Sequence, residues 1–352
     1  MTPENELPAA GQTRRNFLKT TAAGLALATA PMLLRAADEP AHRRPIVGNG
    51  EHTYECIHDW GELPAEIKYG NTHGVCEDSQ GRIYIKHTVG AGSAKPDAIV
   101  VFDHEGKFVT SWGAEFKGGA HGLHLNREGS EECLYLADPV RGLVVKTTTT
   151  GKEIFRLGVP EESGLYGNPQ EYHPTNIATA PNGDFYVADG YGKSWIHQYS
   201  ADAKYIRSFG GPGKERSQTL CPHGLMVDTR GTQPVLVVAD RSNRRLQRFS
   251  LDGRHVGFVT DEMRAPCHFH QRHEVLLVPD LESRVTLLGS DNKLIVHLGD
   301  GTHYQGIRDK PRDAFNPGKF IAPHSACFDH AGNIFVVEWV EVGRVTKLRK
   351  VA

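Results

Sequence analysis

Four histidines of this 352-residue chain occupy one position of a repeated triplet. They stand in His73-Gly74-Val75, His121-Gly122-Leu123, His223-Gly224-Leu225 and His324-Ser325-Ala326. Two further triplets, Thr175-Asn176-Ile177 and Cys267-His268-Phe269, carry Thr and Cys at that position. In chain order, His121, His223 and His324 are every second member of the set. If the six units surround an axis, alternate units lie about 120° apart and these three imidazoles converge on it. Three neutral imidazoles with an open fourth position are the donor set of a catalytic Zn²⁺. A single histidine at the start of a strand would more often be a packing residue, whereas three in alternation point to a metal. His73, in an intervening unit, is read as lining the pocket, with a further ligand as the alternative, and Cys267 is read as lining it too. His268 and His270, one and three positions off the register, fall at the channel mouth or in the core.

The elements that must position these side chains are strands. After each triplet come a turn and a mostly apolar run: Arg82–Lys86, Cys133–Ala137, Asp184–Ala188, Val235–Ala239, Glu274–Pro279 and Asn333–Glu338. Most units close on an alternating pattern such as Gly106–Gly113 or Ala203–Gly210. Short β-runs bounded by Gly, Asn and Asp turns, without helical periodicity, make each unit a four-stranded antiparallel sheet. One such sheet cannot cover both of its faces, and a period of about 45–55 residues built only of strands is that of propeller blades. Six triplets therefore predict an all-β, six-bladed β-propeller. Tyr54–Gly61 precedes the first triplet but reads as an outer strand, while the sixth unit runs out of chain after Arg344–Val351. The N-terminal strand is expected to complete the last blade and close the ring, because an open ring leaves two sheet edges exposed.

Ahead of the propeller, Arg14-Arg15-Asn16-Phe17-Leu18-Lys19 precedes an apolar, Ala-rich run from Ala22 to Leu34. Residues 1–37 read as a twin-arginine signal peptide, which predicts contact with that export machinery and a periplasmic or extracellular location. Residues 38–51 read as a linker and 52–352 as the propeller. No further segment is long and apolar enough to span a membrane after signal removal. The formal charge of −2 becomes two units more negative without residues 1–37, which excludes the basic footprint of a nucleic-acid binder. Six cysteines include no C-x-x-C pair and are expected mostly as buried thiols.

The units resemble NHL repeats, and the order of motifs along the mature chain is similar to that of peptidyl-α-hydroxyglycine α-amidating lyase, a six-bladed zinc propeller. The resemblance rests on His-Gly-Leu at His121, Pro-Thr-Asn at Pro174, Asp-Gly-Tyr at Tyr191, Pro-His-Gly at His223, Ala-Asp-Arg at Arg241 and Pro-His at His324. It implies zinc on His121, His223 and His324, Tyr191 as the base and Arg241 lining the site. Without it, Tyr191 reads equally well as a turn aromatic, and Arg241 as a surface arginine paired with Asp240 or Asp189. Two positions depart from the family. His87-Thr88 stand where it has an arginine for the substrate carboxylate, and Ser325 stands where it has an aspartate that binds calcium, which argues against a structural Ca²⁺.

These features lead to the expectation of an exported, zinc-dependent lyase-like enzyme that cleaves a C–N or C–O bond of a small hydroxylated molecule or peptide. Two alternatives stand beside it: a non-catalytic NHL propeller that binds a protein or glycan, and a lactone hydrolase. Lactone hydrolases on similar propellers typically hold their metal with carboxylates and amides, and no such cluster appears in register here.

Overall fold

The computed structural model describes residues 44–301 and 306–351. The twin-arginine segment, residues 1–37, lies outside the described residues. Six antiparallel sheets follow one another in chain order. Blade 1 comprises Thr72–Glu77, Ile83–His87, Ile99–Phe102 and Phe108–Trp112. Blade 2 opens with Leu123–Glu128 and Glu131–Asp138, blade 3 with Asn176–Thr179 and Phe185–Ala188, and blade 4 with Pro222–Asp228 and Val235–Asp240. Blade 5 opens with the short strand His270–Arg272 and Val275–Asp280, and blade 6 with Pro323–Phe328 and Ile334–Glu338. The chain is thus an all-β, six-bladed propeller.

The sixth sheet takes strands from both parts of the chain. His52–His58 pairs antiparallel with Arg344–Lys350, with Cys56 opposite Leu348. Ile46–Asn49, expected in a linker, instead pairs with His52–His58 as a fifth, outermost strand. The polar, Pro-containing composition that suggested a loose connection is compatible with an exposed edge strand.

Burial explains why six sheets are needed. Apolar side chains from both faces of each blade meet those of its neighbours. Val75, Ile85 and Val100 of blade 1 pack with Phe335 and Val337 of blade 6, while Tyr84, Ile99 and Val101 face Leu134 and Leu136 of blade 2. The second strands are buried on both faces, as in Val235–Asp240, so they read as continuous apolar runs. Outer strands alternate and carry exposed residues such as Val109 and Ile154. Tyr54 and Cys56 of the N-terminal strand belong to the core between blades 5 and 6.

Five buried acids recur at the end of the second strand: Asp138, Asp189, Asp240, Asp280 and Glu338. Four of them accept backbone N–H groups from the loop that leads into the inner strand. Asp189 takes that of His173 at 2.7 Å, Asp240 that of Leu220 at 2.7 Å, Asp280 those of Arg264 and Ala265 at 2.7 and 2.8 Å, and Glu338 that of Ile321 at 2.7 Å. Charge-assisted bonds of this kind are among the stronger ones available to a loop. They fix the approach of the chain to the channel two or three residues before each triplet.

Deleting residues 52–58 removes one partner of Arg344–Lys350 and two core side chains. The variant is expected to lose its cooperative thermal transition or to aggregate, as read by circular dichroism and size-exclusion chromatography.

Candidate metal centre

The triplets place their first residues around the channel. In blades 1, 4 and 6 the ladder slips at the histidine, between Thr72 and Gly74, Pro222 and Leu225, and Pro323 and Ser325. Bulges re-aim a side chain, and here they accompany imidazoles that gather with that of His121. Ring centroids are 4.9 Å apart for His121 and His223, 4.7 Å for His121 and His324, and 4.7 Å for His223 and His324. His73 joins them, 4.9 Å from His121 and 4.4 Å from His324. The ligand nitrogens of His73, His121 and His324 lie within 4.8 Å of one another. His223 stands next to this set rather than within it.

The hydrogen bonds of three of these histidines follow one rule. His121 Nδ1–H donates to Thr175 O at 2.7 Å, His223 Nδ1–H to Cys267 O at 2.8 Å, and His324 Nδ1–H to His73 O at 2.9 Å. Each acceptor is the carbonyl of the equivalent residue in the following blade. A carbonyl can only accept, so Nδ1 carries the hydrogen and Nε2 presents a lone pair. The glycines of the triplets permit this closeness. A Cβ on Gly122 would lie 2.4 Å from Thr175 O, and one on Gly224 would lie 2.4 Å from Cys267 O.

Burial keeps the imidazoles neutral. Desolvation pushes His73, His121 and His223 well below the usual histidine range, with neighbouring histidines and cations adding to it. Desolvation likewise lowers His324 to about 3. Neutral imidazole is the ligand form.

Tyr191 and Arg241 complete the cluster from loops after the second strands of blades 3 and 4. Tyr191 Oη lies 3.1 Å from His121 Nε2 and 3.0 Å from His223 Nε2, and accepts from Arg241 Nη1 at 3.4 Å. The residue is 42% exposed, because its ring faces the open cleft while its hydroxyl reaches down to the imidazoles. Burial raises the Tyr191 hydroxyl to about 12, with the Arg241 guanidinium pulling it down. One hydroxyl hydrogen can serve only one of the two Nε2 lone pairs it faces, so the other is left for a Lewis acid. The donor set therefore fits a borderline-soft divalent cation such as Zn²⁺.

Arg241 is not the surface arginine of the alternative reading. It stacks on Tyr191, with Cζ 5.2 Å from the ring centroid, and Nη2 points at Cys221 Sγ at 3.1 Å. Asp240 is taken by Arg245 and Asn243, and Asp189 by Tyr166 and backbone N–H groups.

Two cavities flank Tyr191 and Trp339 above the histidines. One of about 430 Å³ is bounded by Arg241, Leu281 and His324, and one of about 640 Å³ by His73, His121, Thr88 and Val140. Thr88 thus lines the cleft. His87 does not: it occupies the blade 1 position of the buried acids, and its Nδ1 accepts the N–H groups of Gly70 and Val89 at 3.4 and 3.1 Å. Its neighbour in sequence, not His87 itself, therefore reaches the cleft. Cys267 is fully buried, 4.0 Å from Arg241 Nη1, and contributes its carbonyl to His223. All six cysteines are unpaired and five are buried. His268 and His270 lie at the other end of the channel, beside a cavity of about 350 Å³ that His124 shares.

Sequence reasoning missed Trp339 and Pro139, which line the cleft. The signal was present, because each cleft residue Thr88, Pro139, Arg241, Leu281 and Trp339 follows the acid or its blade 1 equivalent.

Comparison with known proteins agrees with this architecture. No protein-family model matches the chain. Human NHL repeat-containing protein 3 is 28% identical over 55% of this chain and 55% of its own length. Xenopus laevis peptidyl-glycine alpha-amidating monooxygenase B is 30% identical over 52% of this chain and 21% of its own length. The Caenorhabditis elegans probable peptidyl-alpha-hydroxyglycine alpha-amidating lyase pgal-1 is 30% identical over 43% of each chain. The chain is a six-bladed propeller that is similar to an NHL repeat-containing protein and to the amidating lyases. It spans about half or less of the length of these curated relatives. Among solved structures, a streptogramin B lyase matches with a TM-score of 0.57 at 13% identity, over 84% of this chain and 97% of that one. A Staphylococcus aureus virginiamycin B lyase matches at 0.53 and 14%, over 85% of this chain and all of that one. At such identity these two show the shared fold alone.

The Gly224→Ala substitution forces Cys267 O away from His223 Nδ1. It is expected to cost about 1–3 kcal/mol of stability and to weaken metal retention, measured by denaturant unfolding and by titration with a zinc chelator.

Proposed function

We propose that this chain is an exported, metal-dependent lyase-like enzyme acting on a small hydroxylated molecule or peptide in the central channel. His121, His223 and His324 are the proposed ligands, Tyr191 the base and Arg241 the group that steadies charge. The observation that carries the reading is the threefold repeat of Nδ1–H bonds to the next blade's carbonyl, which fixes Nε2 as the nitrogen each of the three rings offers as a lone-pair donor. His73 is read as a neighbour of the centre, because its Nδ1 faces His324 Nε2 at 3.3 Å and its ring has no such carbonyl anchor. Export by the twin-arginine route, to the periplasm or beyond, rests on Arg14-Arg15 and the apolar run after them.

Zinc bound there would supply Lewis acidity toward a substrate oxygen. The chain's residues do the rest. With a hydroxyl raised to about 12, only about one Tyr191 in 100,000 is phenolate at pH 7. Tyr191 becomes a working base when adjacent positive charge stabilises its anion, and Arg241 supplies part of that charge. Tyr191 then takes the proton of the substrate carbinol. The C–O bond becomes a carbonyl as the adjacent C–N or C–O bond breaks, and the leaving atom takes up a proton. Arg241 faces the developing negative charge. The amidating-lyase relatives support a carbinol substrate and the propeller lyase class.

Elemental analysis of the purified protein is expected to find near-stoichiometric metal that is lost in His223→Ala and kept in His73→Ala. A folded wild-type protein without metal would favour the non-catalytic propeller. Tyr191→Phe is expected to lower kcat by at least about a hundredfold with metal content unchanged, and full turnover in that variant would remove Tyr191 from the mechanism.

A further inference from the structure

Every polar atom of His173 but one is already committed. Its backbone N–H donates to Asp189 Oδ1 at 2.7 Å, and its carbonyl accepts the Tyr191 N–H at 3.3 Å. Its Nδ1 lies 2.6 Å from Pro139 O, a bond that joins the approach loop of blade 3 to the loop after the second strand of blade 2. A carbonyl can only accept, so Nδ1 carries the hydrogen and Nε2 presents the lone pair. That nitrogen has no partner among the described residues, and it opens on the larger cavity, which the half-buried His173 lines. His87 Nε2, by contrast, is unpartnered and buried.

The two cavities offer different chemistry to a ligand. The smaller one is bounded by Arg241, Arg244, Arg264 and Glu282, with Arg244 paired to Glu282 at 3.0 Å and Arg264 to Asp300 at 2.9 Å. Among the described residues that line the larger one there is no Asp, Glu, Lys or Arg, and its wall beside His173 is formed by Ala120, Pro139 and Val140. An acceptor in such a recess favours an uncharged donor, because a ligand without one leaves the nitrogen desolvated and unpaired. The three bonds already made hold the ring in place, so little side-chain entropy is lost when a ligand arrives. The bond to the Tyr191 backbone also gives a group held at Nε2 a fixed relation to that residue.

We propose that His173 positions the substrate by accepting, at Nε2, a hydrogen bond from an uncharged N–H or O–H group whose apolar body lies against Ala120, Pro139 and Val140. This rests on the reading of the cleft above the histidines as the substrate site.

Two pairs of probes that differ in the donor test this: benzamide against acetophenone, and benzyl alcohol against toluene. Each is titrated into the purified wild-type protein, His173→Asn and His173→Gln, with binding followed by NMR on samples carrying ¹⁵N-labelled histidine. Wild type is expected to prefer the donor by about fivefold or more in at least one pair, with the Nε2 resonance of His173 shifting as it binds. Preference for benzamide assigns the site to an amide, and preference for benzyl alcohol alone assigns it to an alcohol. Asparagine can keep the bond to Pro139 O but has no atom at the Nε2 position, so His173→Asn should abolish the preference with affinity for the donor-free probe unchanged. Glutamine reaches that position, and His173→Gln should keep part of the preference. The proposal fails if wild type does not discriminate in either pair, if His173→Asn still prefers the donor, or if His173→Asn loses both members of a pair equally. Metal content measured on the same samples separates the two readings. Bound metal with no donor preference removes the role of His173 alone, and a metal-free protein that discriminates through His173 removes the metal assignment alone.

Discussion

The bond from a channel imidazole to the carbonyl of the next blade is the constraint on which the rest of this structure depends. It ties blade 2 to blade 3, blade 4 to blade 5 and blade 6 to blade 1 at one level of the axis. It also sets the tautomer, because only a protonated Nδ1 can satisfy a carbonyl. A single geometric relation thus performs a structural task at one ring nitrogen and leaves the other as a donor. The glycines at 122 and 224 belong to the same relation, since the accepting carbonyl fills the space of their missing Cβ atoms. In blade 6 the triplet carries Ser325 in place of glycine, and its hydroxyl meets His268 Nδ1 at 3.2 Å instead.

A second ring, one layer out, holds the channel in place. Carboxylates at the ends of second strands collect the N–H groups of the approach loops and leave the next residue to face the cleft. This separates positioning from chemistry within two consecutive residues: Asp240 secures the loop, and Arg241 reaches Tyr191. Blade 1 performs the same task with a neutral imidazole, His87, whose Nδ1 accepts from two backbone N–H groups. A carboxylate can accept more bonds than one imidazole nitrogen, so this approach loop is held by fewer bonds than those of blades 3 and 5.

The cleft has two chemically different sides. Arg241 and the paired Arg244 and Arg264 lie toward blades 4 and 5, and Ala120, Pro139 and Val140 toward blades 1 and 2. Tyr191 stands between them, with its hydroxyl at the imidazoles and its ring in the opening. Such an arrangement sets a cluster of imidazoles below a cleft that is polar on one side and apolar on the other.

The sequence by itself determined the repeat, and with it the six sheets, because strand-length apolar runs punctuated by turns allow few other ways to bury both faces. It also determined which residues meet on the axis: an identical place in each repeat becomes an identical place around the ring, so His73, His121, His223 and His324 could be read as neighbours. Tertiary structure decided what periodicity does not encode. Whether His87 faces the cleft or the backbone depends on a loop that folds over it, and the partner of Arg241 depends on which neighbour claims Asp240. The role of Ile46–Asn49 as an edge strand depends on a sheet assembled from both ends of the described chain. Nearness within one repeat is local and legible, whereas competition between side chains for the same partner is settled only when distant segments arrive together.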